Sequence, residues 1–300
     1  MNLLNTLVVK TLPYIPKTVV GAVAKRYIAG ETLSDAVNKV RQLNSENAMA
    51  TVDVLGEDIF TQDQATESKY ASVDVLNAIA KHSLNSNLSI KLTSLGLKME
   101  KQFCIGNVDE IVSTAKKQNN FVRIDMEDHT CTDDTLEVYR VMKNRHNNVG
   151  IVIQAYLHRS EGDIRALAAE KANVRLCKGI YNEPPQVAIK ERVGIQENYL
   201  TLLRILFEAG CYVGIATHDD VLIDGAKKLI VELKIPKEKY EYQMLLGVRD
   251  EKRKQLVAEG HRLRVYVPFG KDWYGYSVRR LKENPQMAGH VFKAMFGVGQ

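Results

Sequence analysis

The chain lacks most of the features that announce a function at once. Its four cysteines, Cys104, Cys131, Cys177 and Cys211, lie far apart and form no CxxC pair. That argues against a zinc site and a disulfide framework and fits a reducing compartment. There is no GxGxxG fingerprint and no GxxxxGK[ST] loop, so the common nucleotide-binding motifs are missing. No Pro/Gly-rich linker or low-complexity tract divides the sequence. Residues 1–30 contain no acid, only Lys10, Lys17, Lys25 and Arg26 between apolar pieces such as Leu3–Leu4 and Leu7–Val8–Val9. Pro13 and Pro16 interrupt that stretch, which excludes a membrane span, and it lacks the apolar core and cleavage pattern of a signal peptide. A basic amphipathic segment of this kind suits either an anionic membrane surface or a helix packed on the domain. The net charge of +5 is modest and its cations are spread out, so no nucleic-acid partner is called for.

What is present is an alternation. With 300 residues and 45% hydrophobic content, the chain can hold one large barrel or two smaller domains. From about residue 48, short β-rich runs alternate with segments of helical periodicity. The runs are Ala50–Leu55, Leu88–Thr93, Phe121–Met126, Gly150–Tyr156, Val174–Lys178, Tyr212–Thr217, Tyr240–Leu246 and Arg262–Val267. Helical patterns between them include Glu197–Glu208, Asp220–Leu233 and Glu251–Glu259. About eight βα units predict an α/β fold, a distorted (β/α)8 TIM-type barrel with extra N-terminal helices. Residues 1–45 then form an N-terminal helical segment packed on the barrel and 46–300 the catalytic barrel. An open doubly wound sheet would call for a phosphate loop after its first strand, where the sequence has Leu55–Gly56–Glu57–Asp58.

In such a barrel, functional groups gather at the C-terminal strand ends. Those ends carry Lys91, Asp125, Gln154, then Arg175, Lys178 and Tyr181, then Thr217 and His218, then Glu241 and Gln243, and finally Tyr266. Each alone reads as a satisfied strand terminus. Seven consecutive strands carrying a polar or charged group, which is costly to bury, read as a site. After the last strand, Asp272 is placed to cap a helix on which Tyr276, Arg279, Arg280 and Glu283 share one face, opposite Tyr274, Val278 and Leu281. That face suits a small anion, or else a solvated surface with an Arg279–Glu283 pair. Cations outnumber acids at the strand ends, so the ligand is anionic: a small substrate, a phosphate-bearing cofactor, or both. The residues offer no carboxylate–histidine cluster for a divalent metal, no nucleophile elbow and no paired carboxylates for glycoside hydrolysis. On residues alone, a Schiff-base aldolase with Lys178 as nucleophile and a non-catalytic binding barrel remain open.

Taken in order, SIKLTSLG, RIDMED, QAY, RLCKGIY, ATHD, YEYQMLLGV and RVYVPFGKDWYGYSVRRL resemble the proline dehydrogenase family, in its monofunctional bacterial form. The resemblance runs from Gly30–Leu33 (GETL) to Arg279–Pro285 (RRLKENP). It implies a barrel that holds FAD without a Rossmann motif, with L-proline over the isoalloxazine and its carboxylate at Arg279, Arg280 and Lys91. Tyr266 and Tyr276 would wall the proline ring, Leu245 would touch it, and Tyr181 would line the pocket. The family's FAD contacts map onto Met126, Gln154, Arg175, Lys178, Gly179, Ile180, Thr217 and His218. Hydride would pass from proline C5 to flavin N5, giving Δ1-pyrroline-5-carboxylate, the first step of proline degradation to glutamate. The implied catalytic group is Asp125, Arg175 and Tyr266, with Arg175 favouring the reduced flavin and Asp125 orienting Arg175 or Lys91. Electrons would leave to a membrane quinone. The expected location is the cytoplasm, with the basic N-terminus as a surface for peripheral contact at the inner face of the membrane; no metal or nucleic acid is expected as a partner. By the same resemblance Tyr276 would favour proline over hydroxyproline, and Ile180 stands where alanine is common in the family.

Overall fold

A computed structural model describes residues 26–56, 59–275 and 277. Eight parallel strands close into a barrel in sequence order: β1 (Met49–Val54), β2 (Ser86–Ile90), β3 (Val122–Ile124), β4 (Val149–Gln154), β5 (Asn173–Cys177), β6 (Tyr212–Ala216), β7 (Tyr240–Leu245) and β8 (Leu263–Phe269). Helix α1 (Leu33–Ser45) precedes the barrel. Helices α2 (Gln62–Lys81), α3 (Lys101–Lys117), α4 (Thr132–Arg145), α5 (Ser160–Ala169), α6 (Arg192–Glu208), α7 (Asp220–Glu232) and α8 (Asp250–Ala258) each follow one strand. This is the TIM-type architecture expected from the alternation.

Local chemistry sets the boundaries. Thr32 and Asp35 form a capping box on α1, Thr61 and Gln64 another on α2, and the Asp219 carboxylate caps α7 through the Val221 N–H. β2 stops before the expected Thr93 because Thr93–Leu95 coil into a 3₁₀ turn closed by Gly96, at φ +100°. β8 runs two residues past the expected Val267. Pro268 lacks an N–H, but its carbonyl accepts from the Ala29 N–H at 2.9 Å, and the Phe269 carbonyl accepts from Leu55 at 2.8 Å. α6 begins at Arg192, five positions before the expected Glu197. The expected segment 1–45 enters the described residues at Arg26, and its α1 packs on β1 and β8. A helical turn opens at Trp273, directly after Asp272. Among the described residues no helix is long and apolar enough to cross a membrane.

Alternation along each strand divides the side chains into two environments. Outward residues such as Leu88, Ile90, Val174 and Leu176 are fully or nearly buried beneath Val75, Leu76 and Ile79 of α2 and Leu202, Leu203 and Leu206 of α6. The barrel interior is different. Bulky branched side chains usually fill it; here Asp53, Ser89, Arg123, Arg175, Glu241, Gln243 and Arg264 are buried instead. Glycine provides the room: a Cβ on Gly150 would lie 2.5 Å from Arg123 Nη1, and one on Gly214 2.5 Å from Gln243 Nε2.

The charges are matched in detail. Arg264 donates to both Glu241 oxygens, at 2.6 and 3.1 Å, and to the Ala50 carbonyl at 2.6 Å. The Tyr212 hydroxyl and Gln243 Nε2 donate to Glu241 as well, each at 2.6 Å. Burial pushes the Glu241 carboxyl up, but the Arg264 charge and these donors outweigh it and bring its pKa down to about 2.

Candidate active site

The C-terminal mouth of the barrel opens into a cavity of about 710 Å³. Every described residue that the family resemblance places at the site borders it, whereas Glu241, expected with the strand-end groups, does not: it is the second residue of its strand and pairs with Arg264 lower in the barrel. Lys91 follows β2, Asp125 and Met126 follow β3, and Gln154 ends β4. Arg175 lies on β5, with Lys178, Gly179, Ile180 and Tyr181 in the loop beyond. Thr217 and His218 follow β6, Leu245 ends β7, and Tyr266 lies on β8. Tyr276, Arg279 and Arg280, with Glu283, lie outside the described residues.

Arg175 is the hub. Its Nε donates to Gln243 Oε1 at 2.5 Å, and its Nη1 to Asp125 Oδ1 at 2.8 Å and Ser89 Oγ at 3.2 Å. The guanidinium lies over the Tyr266 ring, 5.5 Å from its centroid. Nη2 is buried and has no acceptor among the described residues. The Tyr266 hydroxyl donates to Asp125 Oδ2 at 2.9 Å, so Asp125 ties Arg175 to Tyr266. Lys91 is held by a different acid: its Nζ lies 2.7 Å from each oxygen of Asp53 and 3.4 Å from the Tyr266 hydroxyl. Of the two roles expected for Asp125, the geometry shows the pairing with Arg175.

The opposite wall is built from backbone and amide groups. Gln154 Nε2 donates to the Met126 and Glu127 carbonyls, both at 3.2 Å, and its Oε1 is buried without a partner among the described residues. Gly179 adopts φ +113°, and a Cβ there would fall 2.1 Å from Tyr156 Cδ1. Gly179→Ala is therefore expected to cost about 1–3 kcal/mol through backbone strain and overpacking. Urea unfolding reads this directly, and a wild-type midpoint would show that the Tyr156 ring simply moves aside. His218 Nε2 accepts the Leu245 N–H at 2.9 Å, which makes the ring neutral in that arrangement, with its proton on Nδ1.

Several residues at or behind the cavity are not marked by the strand-end pattern. Asp219 gathers Gln196 at 2.9 Å, Lys178 at 3.2 Å and Arg192 at 3.3 Å. Burial pushes its carboxyl up, but the Gln196 hydrogen bond and the two cations hold it below the ordinary range. Glu127 accepts the Thr93 N–H at 3.0 Å. Both acids lie within or beside the ATHD and RIDMED motifs, so the signal was present. Asp53, an acid at an inward strand position, met the same test of costly burial that flagged the other strands. Tyr27 reaches the cavity from the other end of the chain, anchored by Arg26 Nε on the Gly247 carbonyl at 2.9 Å. No local pattern marks that contact.

Comparison with known proteins identifies the site's lineage. The family described as proline dehydrogenase matches residues 36–293. Proline dehydrogenase 1 of Bacillus subtilis (strain 168) is 41% identical over 272 residues, covering 91% of this chain and 90% of the relative. The proline dehydrogenase of Deinococcus radiodurans is 37% identical over 277 residues, covering 91% and 89%. Among solved structures, proline utilization A from Bdellovibrio bacteriovorus, inactivated by N-propargylglycine, superposes with a TM-score of 0.85 at 24% identity. That alignment covers 98% of this chain but 38% of the longer protein, and its likeness is one of fold. With a family match over most of its length and relatives near 40% identity along nine-tenths of it, the chain belongs to the proline dehydrogenase family.

Proposed function

We propose that the chain, a member of a flavin-dependent family that carries out the first step of proline catabolism, binds FAD in the barrel mouth, oxidises L-proline to Δ1-pyrroline-5-carboxylate and passes the electrons to a quinone. One observation carries the cofactor reading. Gln154 Oε1 and Arg175 Nη2, on separate strands, are buried at one cavity with no partner among the described residues. Each such orphan costs on the order of 1–3 kcal/mol. A ligand presenting both a donor and an acceptor edge removes that cost, and the amide and ring-nitrogen edge of a flavin is such a ligand. Bound FAD would supply the acceptor for a hydride from the ring carbon beside the proline nitrogen.

The chain's own residues bind and orient. Met126, Gln154, Arg175, Lys178, Gly179, Ile180, Thr217 and His218 would hold the cofactor. Gly179 keeps its loop close to Tyr156, His218 brings an Nδ1–H donor, and Lys178, 41% exposed beside Asp219, brings a cation. Lys91, Tyr181 and Leu245 would meet the substrate together with Tyr276, Arg279 and Arg280. Because Lys91 is already neutralised by Asp53, the proline carboxylate depends on Arg279 and Arg280 for most of its charge pairing. Tyr276 would crowd a hydroxylated ring and so select proline. Asp125 fixes Arg175 and the Tyr266 hydroxyl, which gives the three a shared orientation. The basic N-terminal sequence supports peripheral contact with a quinone-bearing membrane, and four widely spaced cysteines without a CxxC pair support a reducing cytoplasm.

The deciding measurement is a visible absorption spectrum before and after anaerobic addition of L-proline. The expected result is a yellow protein that bleaches. A colourless chain that cannot be reconstituted with FAD would overturn the reading.

A further inference from the structure

Glu241 and Gln243 have no place in the function described above, although both point into the barrel from β7. We propose that Gln243, braced from below by Glu241 and Arg264, is the positioning residue that holds the Arg175 guanidinium in the orientation that presents Nη2 to the cavity. The inference rests on the reading of Arg175 as a cofactor-binding cation.

An arginine on a strand has a long stem whose head must be fixed from more than one side. Asp125 and Ser89 hold Arg175 through a single nitrogen, Nη1, which leaves the head free to pivot about that contact. Gln243 Oε1 takes Nε at 2.5 Å. With two edges engaged, the Nη2 edge is left without a partner among the described residues. For this to work, Gln243 must present its oxygen and not its amino group. Glu241 settles that choice: its Oε1 accepts Gln243 Nε2 at 2.6 Å, which a carboxylate can do only from the amino end. Glu241 in turn is immobilised by Arg264 at 2.6 and 3.1 Å and by the Tyr212 hydroxyl at 2.6 Å. The result is a strut, Arg264–Glu241–Gln243–Arg175, that runs up the barrel interior to the cavity. Each member is buried, with Gln243 only 6% exposed, so solvent does not compete for these bonds. Gly214 on β6 completes the device, since any Cβ there would occupy the place of the Gln243 amide.

The test is a double-mutant cycle of Gln243→Met and Arg175→Lys. It is read as the FAD dissociation constant, from flavin fluorescence quenching by the apoprotein, and as separate kcat and KM for proline. Gln243→Met is expected to weaken FAD binding and lower kcat by about tenfold each, the scale of one charge-assisted hydrogen bond, with the proline KM within twofold. On the Arg175→Lys background, where no Nε remains to be held, the same change is expected to add less than twofold. Gly214→Ala displaces the amide from the neighbouring strand and is expected to reproduce the Gln243→Met pattern, so the inference does not depend on one variant folding. Equal losses on both backgrounds would mean that Gln243 acts directly and would overturn the proposal, as would unchanged FAD affinity and kcat in Gln243→Met. A wild-type chain that fails to quench flavin fluorescence overturns the flavin reading itself, and that outcome is visible before any variant is made.

Discussion

Arg264→Met is expected to remove about 3–5 kcal/mol of folding stability at neutral pH, the scale measured when one partner of a buried ion pair is deleted. Methionine fills much of the volume, so the loss is not chiefly a cavity. It arises because Glu241 stays 1% exposed with its main counter-charge gone, holding only the Tyr212 hydroxyl and the Gln243 amide. The pH dependence separates this cause from general misfolding. In the wild type the Glu241 pKa is lowered from 4.5 to about 2. Its contribution is therefore fully present above about pH 5 and is lost as pH falls toward 2. Without Arg264, burial is the dominant influence and raises the carboxyl above its ordinary value. The variant's deficit then grows as pH rises through the ordinary glutamate range and shrinks in acid, where Glu241 is neutral in both states. Urea unfolding at pH 7 and pH 4 should show a gap between wild type and variant that is clearly smaller at pH 4. An equal gap at both values would mean that packing, not the stranded charge, accounts for the loss.

The barrel was legible because burial imposes a period of two on every strand. Val174–Arg175–Leu176 is apolar outward and cationic inward, and the same step recurs at Tyr240–Glu241–Tyr242. An inward charge is expensive, so its presence on strand after strand points to a site. What alternation does not carry is register. Which acid holds Lys91 depends on β1 pairing with β2 so that Asp53 stands opposite Ser89, two residues before Lys91. One residue of slip would remove that acid, and nothing local to Lys91 records the choice. Tyr27 was hidden for a related reason: it enters the cavity through a contact between Arg26 and Gly247, 221 positions apart. Gly179 and Gly214 were present as letters, but their meaning is spatial. One makes room for the Tyr156 ring and the other for the Gln243 amide.

Arg175→Met should show the opposite split from Arg264→Met, with activity lost and stability largely kept. The Asp125 left behind is not stranded, since Ser89 Oγ donates to its Oδ1 at 2.7 Å and the Tyr266 hydroxyl to its Oδ2 at 2.9 Å. Asp125 also keeps some exposure at the cavity, 14% of its side chain. The fold should therefore lose no more than about 1–2 kcal/mol, the scale of charged hydrogen bonds that are partly replaced. The site loses much more. Removing one preorganised donor from a reacting centre typically lowers kcat by about 10²–10³, and here the same substitution also takes the cation away from the Tyr266 ring. Proline KM should move far less, because in the proposed reading the carboxylate pairs with Arg279 and Arg280. The expected outcome is a kcat lower by about 10²–10³, reduced flavin content per chain and a near-normal unfolding midpoint, measured with a soluble electron acceptor and by denaturation. A variant that turns over within tenfold of the wild type would take Arg175 out of the reaction centre. It would leave Arg175 as one more buried cation in a barrel whose interior is built from charge.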